Sequence, residues 1–126
     1  MTDLLSYTVV GVAIGAVYAI AASGLVVTYT TSGIFNFAHG AFGMMAAFTY
    51  WQVHAPVEAG GWGWPTLPAL AFVILVVAPL FGALVERIIM RGLEGASEVV
   101  KIVVTVSLML ALLGAAGWIW PAGKGR

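Results

Sequence analysis

The chain has 126 residues, 62% of them hydrophobic and 8% charged, with five Lys and Arg against five Asp and Glu, and no cysteine. Soluble domains are about 25% charged, so these ten charged side chains cannot cover a soluble surface, and a mean hydropathy of +1.06 points to lipid as the solvent. A neutral charge balance excludes a nucleic-acid-binding face, and the lack of cysteine excludes disulfides, thiolate metal sites and a Cys nucleophile.

From Leu4 to Val57 there is no Asp, Glu, Lys or Arg. A helix of about 20 apolar residues crosses a hydrocarbon layer of roughly 30 Å, so this run is long enough for two crossings and a turn. The opening residues Met1 to Leu5 lack the basic stretch of a cleaved signal, so the first apolar segment is expected to be retained. That segment covers residues 5–29. Gly11, Gly15, Ala19 and Ser23 recur every fourth residue and form one stripe of small side chains, the pattern that lets helix backbones approach closely. The same spacing also arises by chance in spans rich in Gly and Ala. Tyr18, Ser23 and Thr28 are candidates for lining a polar cavity, although Ser and Thr can equally bond the carbonyls of their own helix.

A polar island follows: Thr28, Thr30, Thr31, Ser32, Asn36 and His39. Polar groups cost several kcal/mol in lipid unless they are satisfied. The island therefore indicates a break between helices, a water-lined surface or a helix contact. Segment two is expected over 37–53, opening after a turn at Thr31, Ser32 and Gly33, either as a full crossing or as a broken element. Asn36 and His39 are three positions apart, so on one helix they would share a face. Gly40 and Gly43 beside them are small enough for close packing. The two polar residues fit a translocation path, with Tyr18, or equally a structural role in which Asn36 caps the helix and His39 bonds a carbonyl.

Tyr50, Trp51 and His54 form an interfacial aromatic belt. Residues 55–65, with two prolines, three glycines and Glu58, form the clearest loop, with Trp62 and Trp64 at headgroup level. Segment three covers 66–90, and Pro79 in its interior removes a backbone hydrogen bond and predicts a kink. Segment four covers 99–120 and ends at Pro121. Arg87, Arg91 and Lys101 place the connector between segments three and four on the cytoplasmic side by the positive-inside rule. Lys124 and Arg126 oppose that orientation weakly. The expected fold is all-α, a polytopic membrane bundle of about four transmembrane segments in a single domain.

No nucleophile–base pair, phosphate-binding Gly-rich loop, paired carboxylates or metal-ligand spacing occurs. No catalytic residue, cofactor site or metal site is therefore expected. An enzyme is disfavoured, and Met44, Met45, Met90 and Met109 are read as core filler.

At Gly11 to Gly24, Val27 to Tyr29 and Ile34-Phe35-Asn36-Phe37-Ala38-His39-Gly40, the sequence resembles the opening of branched-chain amino acid ABC transporter permeases of the Liv type. The run from Asn36 to Gly40 is the specific part; Val85 to Arg91 and Thr105 to Leu110 resemble the family less specifically. The resemblance implies a multi-pass subunit of an importer in the bacterial inner membrane. It would work with a second permease subunit, two cytoplasmic ATPase subunits that use the ATP, and an external substrate-binding protein that delivers Leu, Ile or Val. Full permeases have more crossings and a later coupling loop, so this chain is similar to the first part of one. A small assembly or structural membrane subunit that transports nothing, and a related permease for urea, amides or sugars, are the alternative readings.

Overall fold

The structure is a computed structural model that describes residues 2–121. It is predominantly helical, with no strand among the described residues. Lys124 and Arg126 lie outside the described residues. The chain divides into two compact units, one up to Asn36 and one from Phe37 onward.

The first unit is one helix, α1, Thr2–Ser32, followed by a short extended segment. Its 31 residues rise about 46 Å at 1.5 Å per residue, more than a hydrocarbon layer needs. Apolar side chains occupy every face, as in a helix surrounded by lipid or by other helices. The helix continues through the polar island to Ser32, three residues beyond the expected boundary at Tyr29, because the hydroxyls stay within it. Thr28 donates to Gly24 O at 2.8 Å, Thr31 to Val27 O at 2.8 Å and Ser32 to Thr28 O at 2.6 Å. Such back-bonding satisfies each hydroxyl without water. Gly33 stops the helix: at φ +66° it takes the left-handed conformation, and its N–H bonds Tyr29 O at 2.8 Å. This is the αL C-cap that glycine adopts without a Cβ clash.

Among the described residues the second unit holds three long helices. Helix α2 is His39–His54, α3 is the composite span Thr66–Leu93, and α4 is Glu98–Ile119. Helix α2 packs against both the first half of α3 and α4. Ala41 and Val53 of α2, Ala69 and Val73 of α3, and Leu112 and Ala116 of α4 are buried. Phe42 meets Phe81 edge-on with centroids 5.6 Å apart, and Phe48 stacks on Trp120 at 5.4 Å. Outward-facing positions are apolar instead of charged: Leu67, Leu75 and Leu80 of α3 and Trp118 of α4 are all exposed. A contiguous surface of this kind is a liability in water and ordinary in lipid. Ser97 opens α4 by accepting from Val100 N, and Lys101 pairs with Glu98 at 3.3 Å. Buried Thr105 donates to Lys101 O and Ile102 O, so its hydroxyl is not stranded in the bundle.

Helix α3 is continuous but not uniform. An α-helical start, Thr66–Phe72, widens into a π turn, Val73–Val77. It narrows again over Ala78–Val85, widens over Glu86–Met90 and tightens to a 3-10 turn at Arg91–Leu93. The first π turn closes with Ala78 N–H on Val73 O, directly before Pro79, the residue with no N–H to extend the ladder. Wide turns and local rearrangement are the usual way a helix takes an interior proline. The second π turn explains an ion pair. Residues five apart on an α-helix point about 140° away from each other. Across the π turn, Arg91 Nε nevertheless reaches Glu86 Oε1 at 3.4 Å.

Helices α1, α3 and α4 are each long and apolar enough to cross a membrane. Helix α2, with 16 residues, rises about 24 Å, short of the roughly 30 Å hydrocarbon layer. Among the described residues, four long helices thus stand near the four expected segments, three of them of full spanning length. Helix α3 separates the 55–65 loop from the Glu94 turn. Single cysteines in place of the exposed Glu58 and Glu94 should therefore react with an impermeant thiol reagent from opposite sides of a sealed vesicle. Labelling of both from one side would remove α3 as a crossing.

Candidate functional site

The polar turn between the units begins where Gly33 ends α1. Asn36 is buried in the segment after α1 and belongs to the first unit, whereas His39 is the first residue of α2 and belongs to the second. The expectation that the two share a helical face is corrected here. Residues 34–36 are non-helical and residues 37 and 38 form a turn, so the helical register starts only at His39. The N-cap position is held by Ala38, whose backbone is itself helical and which offers no capping side chain. Ala38 is fully buried and its carbonyl accepts from Phe42 N at 3.1 Å. His39 is half-buried, and Tyr18 is exposed near the middle of α1.

The small-residue positions are open. A Cβ added at Gly11 or Gly15 would meet nothing within 4 Å, and the same holds at Gly40 and Gly43 of α2. Ala19 is exposed on α1, and Ser23 donates to Ile20 O at 2.8 Å.

The most built feature is the far end of α2, which the sequence presents only as an aromatic belt and a loop. Helix ends leave four carbonyls without intrahelical partners, and in lipid such groups must be satisfied by the protein. Here the following loop folds back and supplies donors. Trp51 O accepts from Ala55 N at 2.8 Å, Gln52 O from Trp62 N at 2.9 Å, and Val53 O from Trp64 N at 3.0 Å. Gly63 N bonds Ala55 O at 2.8 Å, and a 3-10 turn at Val57–Ala59 shapes the approach. The close fit selects glycine at 61, where a Cβ would overlap the Ala55 carbonyl group.

Side chains reinforce this cap. His54 Nδ1 lies 3.0 Å from Trp64 O, and since a carbonyl only accepts, Nδ1 carries the hydrogen in that bond. The His54 ring stacks on Tyr50 at 5.3 Å, and Trp64 tilts against Phe72 of α3 at 5.7 Å. Gln52, the sole glutamine of the chain, bonds in two directions. Its Nε2 donates to Gly60 O at 2.6 Å and its Oε1 accepts from Trp120 Nε1 at 3.1 Å. A cleft of about 190 Å³ opens beside it, lined by Trp51, Gln52, Ala59, Gly60, Ile119, Trp120 and Pro121. Every lining residue is uncharged, so the cleft offers no counter-charge to an ion. Among the described residues no group of three or more His, Asp or Glu side chains could hold a metal.

These features define a membrane helix bundle in which Thr28, Thr31, Ser32, Gln52, His54 and Thr105 each bond backbone carbonyls. Residues 7–125 match the family described as branched-chain amino acid transport system, permease component. The chain belongs to that family of membrane transport permeases. It is similar to the high-affinity branched-chain amino acid transport system permease protein LivH of Escherichia coli (strain K12), with 29% identity over 105 residues, 81% of this chain and 34% of the relative. It is also similar to BraD of Pseudomonas aeruginosa, a permease protein of the same kind of system, with 26% identity over 107 residues, 83% of this chain and 35% of the relative. LivH of Salmonella typhimurium is 24% identical over 104 residues. The chain thus spans about a third of the length of the curated relatives it matches. No solved structure matches it.

Proposed function

We propose that this chain supplies membrane-spanning helices of the permease subunit of an ABC importer for branched-chain amino acids, inserted as a multi-pass protein in a bacterial inner membrane. The observation that carries this reading is the family match over residues 7–125, which includes the polar turn. In this reading the chain performs no chemistry. ATP is consumed by partner ATPase subunits, an external binding protein delivers Leu, Ile or Val, and a second permease subunit completes the path. Transport then depends on a difference in affinity between outward- and inward-facing states.

His39 is the pathway candidate of the second unit. It is half-buried at the start of α2, where a polar side chain within a membrane protein is functional by default. Tyr18 and Asn36 are the candidates of the first unit. The test is reconstitution of a complete permease carrying this sequence, with its ATPase and binding-protein subunits, in liposomes. ATP-dependent uptake of labelled leucine is expected, and none with intact assembly would refute the reading. His39→Ala should lower the uptake rate on the order of tenfold at unchanged expression, the scale of losing one charge-free hydrogen-bonded contact. Wild-type uptake by that variant would remove His39 from the path and leave the transporter assignment standing.

A further inference from the structure

We infer that Gln52 is a two-ended latch that couples the C-terminal end of α4 to the loop capping α2, so that neither can move alone. The orientation of its amide is fixed by chemistry. An indole N–H only donates and a backbone carbonyl only accepts, so Oε1 must face Trp120 and Nε2 must face Gly60. The observed distances, 3.1 Å and 2.6 Å, satisfy both ends at once. Rotating the amide to improve one bond would break the other.

Each end of the latch is attached to something already ordered. Trp120 directly follows α4, its N–H bonds Ala116 O, and its ring stacks nearly parallel on Phe48 of α2, 20° between planes. Gly60 lies between the 3-10 turn and the Trp62–Trp64 stretch whose amides cover the α2 carbonyls. A shift of the α4 end relative to α2 pulls the indole from Oε1, frees the amide to rotate and releases Gly60. The cap over Gln52 O and Val53 O then loosens. The cap therefore has a held state and a released state, selected by the position of α4. Gln52 acts as a positioning residue, through its two partners.

The full chain in lipid nanodiscs provides the test, with hydrogen exchange followed by NMR at the Trp62, Gly63 and Trp64 amides and at the Trp120 indole N–H. Gln52→Leu removes both ends, so cap and indole exchange should each rise on the order of tenfold, the scale of one lost hydrogen bond. Gln52→Glu keeps an acceptor for Trp120 and sets a carboxylate oxygen against Gly60 O, so the cap amides should speed up while the indole stays protected. Trp120→Phe keeps the ring stack and deletes the donor; coupling requires the cap amides to speed up although their own bonds run to Gln52 O, Ala55 O and Val53 O. Unchanged cap exchange in Trp120→Phe would overturn the latch, as would equal effects of Gln52→Glu on both ends. Should Trp120→Phe lose helicity, the two Gln52 variants decide alone.

Discussion

Gly61→Ala should unseat the loop that closes α2 and cost on the order of 3 kcal/mol of stability, the upper range for forcing atoms into a filled site. The added Cβ would sit 2.6 Å from both the carbonyl carbon and the Cβ of Ala55 and closer still to its oxygen. Backbone atoms cannot rotate aside as a flexible side chain would, so the loop itself must move. Its movement would withdraw the Trp62 and Trp64 donors from Gln52 O and Val53 O, and uncovered carbonyls in or near lipid add their own penalty. Thermal unfolding in detergent, together with proteolysis of residues 55–65, checks this. A wild-type melting temperature and an intact loop would show that the close fit at Gly61 is dispensable.

The second large effect is expected inside the bundle. Ala69 has no accessible surface, and the part of α3 that carries it packs against α2. Leucine there adds three carbon atoms where none is accommodated, which costs roughly 1–3 kcal/mol when a packed site must expand. Lipid cannot relieve the strain, because in a membrane close van der Waals contact between helices is what holds them together. The lateral association of α2 with α3, read as excimer formation between pyrene labels on the two helices, should weaken. Ala69→Ser at the same position should be tolerated. A leucine variant as stable as wild type would mean that α3 can slide outward freely.

Much of this architecture is legible in the sequence because the bilayer imposes it. The charge-free run from Leu4 to Val57 holds α2 and all of α1 after Asp3, and helices occur on either side of the loop at 55–65 and of the connector near Glu94. Boundaries are less legible. Thr28, Thr31 and Ser32 look like a break, yet each hydroxyl bonds its own helix and prolongs α1. Asn36 and His39 have helical spacing, but spacing has meaning only inside a helix, and Asn36 precedes α2. The cap is illegible for a different reason: its main bonds are backbone amides on backbone carbonyls, which carry no residue signature except glycine. Gln52 was the available clue, a lone amide among aromatic residues, and its partner Trp120 lies 68 positions away.

The two wide turns of α3 have a consequence for anyone reading its surface. Each takes up a residue beyond the ordinary count, so the angular phase of the helix slips at Val73–Val77 and again at Glu86–Met90. A wheel drawn at constant pitch from Thr66 will assign the wrong flank to Phe81, Leu84 and Ile88. Periodicity from scanning experiments across this span should be fitted in three separate stretches, and one missing residue within either swelling would rotate everything downstream while leaving the rod unbroken.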